Sequence, residues 1–154
     1  SAKPHMSYNR LRTGRVSITN QVYLLTSVTA NRLPLFDDFQ LARIVVAEMR
    51  RLEESGLVQS LAWVIMPDHL HWLIALADGN NLSIVAKMLK GRSASRINHY
   101  RGSSGAIWQP AFHDRALRQE EDLPSVARYV VAIPLRAGLV SRLGDYPHWD
   151  AIWI

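Results

Sequence analysis

The chain has 154 residues, 48% apolar and 20% charged, the balance of a single globular domain large enough to bury a core. Eighteen Lys and Arg against 13 Asp and Glu give a formal net charge of +5, which favours a polyanionic partner, with nucleic acid the leading class. There is no cysteine, so disulfides and thiolate metal centres are excluded. Neither a signal peptide nor an apolar run of about 18 residues is visible, and a cytoplasmic protein with no membrane contact is expected.

Ser1 to His5, ahead of Met6, read as an expression-tag remnant, leaving residues 6–154 as the domain. Val22 to Thr29 is rich in β-branched and aromatic residues and is expected to be a strand. Asp37 and Asp38 are placed to cap a helix from about Phe39 to Ser55, in which Leu41, Ile44, Val45, Met49 and Leu52 recur at helical spacing before Gly56. Val58 to Met66 and His69 to Ala77 read as strands, and a link as short as Met66-Pro67-Asp68 makes them antiparallel. A second helix is expected from about Ser83 to Tyr100, with Leu82, Val85, Ala86, Leu89 and Ile97 inward and basic residues outward. Phe112 to Leu117 suggests a further strand. Glu120-Glu121-Asp122 and Pro124 mark the start of a helix carrying Val126, Tyr129, Val130 and Ile133 and ending near Pro134. This order matches an α+β ferredoxin-like sandwich, an antiparallel central sheet with helices packed on one side.

His69-Leu70-His71 stands at the mouth of an apolar run. On a strand, His69 and His71 project from the same face and Leu70 from the other, so two imidazoles converge on one point. That arrangement suits a divalent cation, although a strand histidine in isolation is more often structural. Two imidazoles with oxygen ligands suit Mn²⁺ or Zn²⁺ better than Mg²⁺. Asp68 belongs to the opposite face and reads as a turn residue rather than a ligand. Lys87, Lys90, Arg92, Arg96 and Arg118 are the candidates for contacts to a nucleic-acid backbone. Trp63, Trp72 and Trp108 read as core, whereas Trp149 and Trp153 are freer to stack on a base or to fold back over the site.

Three ordered blocks carry a resemblance: Ala62 to His71 (AWVIMPDHLH), Ile107 to Asp114 (IWQPAFHD) and Tyr129 to Val140 (YVVAIPLRAGLV). Together they resemble the REP-associated tyrosine transposases, HUH single-strand nucleases related to small insertion-sequence transposases. The resemblance implies a metal-dependent DNA transesterase that acts on single-stranded or hairpin DNA as a monomer or homodimer, near the nucleoid. It implies Tyr129 as the nucleophile, His69 and His71 as ligands of Mg²⁺ or Mn²⁺, and a basic amino-terminal segment, here Arg10, Arg12 and Arg15, that reads a tetranucleotide beside the hairpin. One position departs from the pattern. Four residues after the tyrosine such proteins usually carry an amide that completes the metal shell, and this chain has Ile133, which has no lone pair to donate. His113, Asp114 and Glu120 are then the candidates for a third ligand, and a hairpin-binding protein that has lost cleavage is the alternative.

Overall fold

The computed structural model describes residues 21–118 and 120–153. Ser1 to His5, Arg10, Arg12 and Arg15 lie outside them. The elements run β1 (Val22–Val28), α1 (Phe39–Glu54), β2 (Val58–Met66), β3 (His69–Leu76), α2 (Leu82–Arg101), β4 (His113–Ala116), α3 (Leu123–Val131), α4 (Ile133–Arg136) and β5 (Trp149–Ala151). The strands form one sheet in the order β4-β1-β3-β2-β5, and every neighbouring pair is antiparallel.

The helix ends follow their capping chemistry. Asp38 accepts the Gln40 N–H at 2.8 Å to start α1, and Asn81 accepts the Ser83 N–H at 2.7 Å to start α2. Gly102 ends α2 at φ 63°, a left-handed conformation that costs glycine least. The third helix starts where the acidic run and Pro124 place it, with Asp122 at its N-cap and Pro124 in its first turn. Glu121 accepts the Arg118 N–H at 2.9 Å and pairs with Arg115 at 3.1 Å, which holds a turn ahead of Leu123.

Alternation along β3 divides the molecule into two cores. Leu70, Trp72, Ile74 and Leu76 enter a core closed by Val45 and Met49 of α1 and Val85 and Leu89 of α2. Both long helices therefore lie on one side of the sheet, the expected antiparallel sandwich. Leu73 and Ala75 enter a second core with Leu123, Ala127 and Val131 of α3 on the other face. His69 and His71 alternate with the first set, so they share the face that α3 covers.

A bulge in β2 between Ser60 and Ala62 makes both cores continuous. Val58 and Ile65 are an odd number of residues apart, yet both face α1 and α2, because Leu61 and Ala62 turn together toward α3. The buried indoles are satisfied: Trp72 Nε1 donates to Ser60 Oγ and Trp108 Nε1 to Ser93 Oγ, each at 2.9 Å. Truncating either ring to alanine is worth about 3–5 kcal/mol. The strand β5 pairs with the outer edge of β2, and Trp149 and Trp153 are half-buried against the α3-side core.

Candidate active site

The two histidines meet edge to face, with ring centroids 4.8 Å apart and an interplanar angle of 88°. Each has one ring nitrogen already engaged. Asp68 Oδ1 lies 2.7 Å from His69 Nδ1, and the Thr26 hydroxyl lies 2.9 Å from His71 Nδ1. Thr26 reaches it because the β1–β3 register sets Thr26 opposite His71. Nε2 is left on both rings as the nitrogen able to face a cation, the anchoring pattern that fixes a metal-binding imidazole.

Asp68 is itself held. Arg32 Nη1 donates to Asp68 Oδ2 at 3.0 Å, giving a chain Arg32–Asp68–His69. Arg32 and the preceding Asn31 sit at φ 51° and 56°, left-handed conformations unusual outside glycine. Thr29 Oγ1 ties that turn down through the carbonyls of Leu33 at 2.8 Å and Asp68 at 3.1 Å. Burial pushes the Asp68 carboxyl toward the neutral form, but the hydrogen bonds from His69 and Arg32 outweigh it and hold its pKa below the ordinary value. Burial, reinforced by the positive charges of His69 and Arg136, pushes the His71 pKa down to about 4. His71 is therefore neutral at physiological pH, the form that offers a lone pair.

Tyr129 stands on α3, 61% exposed. Its neighbour Val130 packs with Val64 and Met66, the β2 partners of His71 and His69. Ile133 packs against the same cluster, so the position expected to supply an amide is an apolar plug beside the histidines. The Arg136 guanidinium lies 3.8 Å from the centroid of the Tyr129 ring, and its Nη2 donates to the Tyr129 carbonyl at 2.8 Å.

The expected third ligand is not found: among the described residues no group of three or more His, Asp, Glu or Cys comes together to hold a metal. His113 pairs with Thr26 on β4, which places it on the histidine face but a full strand beyond His71, and it is exposed. Asp114 pairs with Leu25 and belongs to the opposite face. Glu120 lies 3.3 Å from Arg118.

The basic residues of α2 sit on the reverse of the sheet, because Val85, Ala86, Leu89 and Ile97 bury into the α1-side core. Lys90 Nζ donates to the carbonyls of Pro110 and Ala111, each at 3.1 Å. Arg96 Nη1 reaches Glu48 Oε2 at 2.8 Å, and Arg51 reaches the same oxygen at 3.0 Å. Lys87 and Arg92 are exposed. Thr26, Arg32 and Arg136 were not singled out by sequence reasoning. Only Arg136 left a trace there, within the block that begins at Tyr129.

A histidine pair and a helix-borne tyrosine on one face of an antiparallel ferredoxin-like sheet place the chain among the transposase folds. It resembles a solved REP-associated tyrosine transposase bound to a REP hairpin, with a TM-score of 0.70 over 84% of this chain and 76% of that one at 23% identity, a likeness of fold. The chain belongs to the family described as "Transposase IS200 like", whose model matches residues 17–132. It is 30% identical over 114 residues to the REP-associated tyrosine transposase of Escherichia coli K12, a match that covers 73% of this chain and 64% of that protein. The chain thus spans somewhat less than two thirds of the length of that relative.

Proposed function

We propose that this chain is a metal-dependent single-stranded DNA endonuclease and strand transferase that acts on REP-like hairpins through a 5′-phosphotyrosine at Tyr129. The observation that carries the reading is the pair His69 and His71, each anchored through Nδ1, on the sheet face covered by the helix that bears Tyr129. The relative bound to a REP hairpin and the E. coli transposase supply the substrate class.

In this reading His69 and His71 would hold Mg²⁺ or Mn²⁺, each through the Nε2 that its anchored Nδ1 leaves open. When bound, such an ion withdraws charge from a scissile phosphate. The Tyr129 oxygen attacks phosphorus, the P–O3′ bond breaks, and the phenolic proton ends on the released 3′ hydroxyl, so the reaction balances with no other reactant. The phosphotyrosine keeps the bond energy of the phosphodiester, and a 3′ hydroxyl of another strand reverses the step to give strand transfer. Arg10, Arg12, Arg15 and Arg118 are assigned to the DNA entering the site. Lys87 and Arg92 are assigned to flanking DNA on the reverse face, with Lys90 and Arg96 contributing field rather than direct contact. The protein would act in the cytoplasm, at the nucleoid.

The test is incubation with a labelled hairpin oligonucleotide and Mn²⁺, followed by denaturing electrophoresis. A covalent protein–DNA band that Tyr129→Phe abolishes supports the reading. Tight hairpin binding with no band, with Mn²⁺ or with Mg²⁺ in its place, would replace it with a hairpin-binding protein whose site is degenerate at Ile133.

A further inference from the structure

Among the described residues Arg136 has no carboxylate partner. Its guanidinium lies 3.8 Å from the Tyr129 ring centroid and its Nη2 donates to the Tyr129 backbone carbonyl at 2.8 Å, while its charge is also felt at His71. The placement follows from how the chain turns. The helix stops at Ala132, Pro134 lacks the N–H that would continue it, and α4 folds Arg136 back toward the residue seven positions earlier. Val130 and Ile133, on either side of that turn, lie against Val64 and Met66, the cross-strand neighbours of His71 and His69. An exposed, uncompensated cation is thereby fixed on the nucleophile's ring at the edge of the histidine face.

A guanidinium is permanently charged and presents a planar fork that matches phosphate oxygens. Ile133 brings only an apolar side chain to this region, and Arg136 is the cation one helical turn further on. We propose that Arg136 is a catalytic residue that seats the scissile phosphate against Tyr129 and neutralises its non-bridging charge during attack. The proposal rests on the reading of Tyr129 as nucleophile. In the step itself the Tyr129 O–P bond forms and the P–O3′ bond breaks, while Arg136 keeps all its protons and acts through its charge and hydrogen bonds.

The experiment compares covalent-adduct formation by the wild type, Arg136→Gln and Arg136→Lys, using a hairpin oligonucleotide with Mn²⁺. A second substrate carries a charge-neutral methylphosphonate at the scissile position. With the phosphodiester, Arg136→Gln is expected to lose on the order of 10²-fold in rate, and Arg136→Lys less, since it keeps charge without the fork. With the methylphosphonate the gap between wild type and Arg136→Gln should shrink at least tenfold, a change that a merely structural role in capping the Tyr129 carbonyl would not produce. In a Tyr129→Phe background, Arg136→Gln should lower the slope of log affinity against log salt by about 0.7. Wild-type adduct rates in Arg136→Gln, or an equal loss on both substrates, would overturn the proposal. If the wild type gives no adduct at all, the tyrosine reading fails, and an unchanged salt slope would then sink the phosphate contact as well.

Discussion

Removing the carboxylate of Asp68 tests how much of the histidine pair's competence is built by its surroundings. Asp68 accepts two hydrogen bonds, from His69 at 2.7 Å and from Arg32 at 3.0 Å, and one of its substitutions removes both. Its side chain is 25% exposed and that of Arg32 is 64% exposed, so the ion pair itself contributes little to folding, on the order of 1 kcal/mol or less. The larger effect falls on His69, which is then free to rotate and to place either nitrogen outward. Groups that orient a ligating imidazole are typically worth 10- to 100-fold in metal affinity, or about 1.4–2.7 kcal/mol. Asp68→Ala is therefore expected to weaken Mn²⁺ binding by that factor, with a smaller loss in Asp68→Asn, whose amide oxygen still accepts from Nδ1, and a smaller loss again in Arg32→Ala. Calorimetric titration of each DNA-free variant with Mn²⁺ reads the effect directly, and thermal melts check that the fold survives. Affinity within twofold of wild type in Asp68→Ala would mean that the carboxylate does not fix His69.

Metal-free protein should lose stability as the pH falls: above about 6.5 His71 is neutral both folded and unfolded, but below it the unfolded chain takes up a proton that the folded one refuses until about pH 4. Full expression of that difference is roughly 3 kcal/mol, and urea titrations between pH 7 and pH 4 should show most of this decline vanish in His71→Gln. Arg96→Ala should destabilise the fold by about 2 kcal/mol, less than the 3–5 kcal/mol of a buried pair broken outright, because Arg51 still reaches the 1%-exposed Glu48. Hairpin affinity in that variant should stay within about twofold, and a tenfold loss without destabilisation would instead make Arg96 a direct DNA contact. Ile133→Asn should cost about 1–3 kcal/mol in denaturant unfolding, since a polar amide enters the cluster of Val64, Met66 and Val130. The same change should tighten Mn²⁺ binding, and an unchanged or weaker Mn²⁺ affinity would show that this position does not face the ion.

Much of the architecture was legible because local chemistry and periodicity agree. Apolar spacing in α1, its Asp38 cap, the tight Met66-Pro67-Asp68 link and the alternation of β3 are all short-range signals, and each produced the element expected of it. The face shared by His69 and His71 follows from strand geometry alone. A boundary moved where proline interrupts the backbone: the third helix ends at Val131 and Ile133 falls in the separate α4, because Pro134 has no N–H to continue the ladder. The strand β5 went unread because three residues against an edge have no period to detect.

Short-range signals thus carry the succession of elements, the converging histidines and the resemblance that singles out Tyr129. What surrounds them depends on long-range packing. Thr26 reaches His71 through strand register, Arg32 reaches Asp68 through a strained turn, and Arg136 folds back onto Tyr129 where the helix breaks. The same packing gave the basic residues of α2 the reverse face of the sheet, because that helix buries its apolar stripe on the side opposite the histidines. These pairings join residues distant in sequence or folded back across a helix break, and composition and spacing carry no information about which distant groups a sheet register or a helix break will bring together.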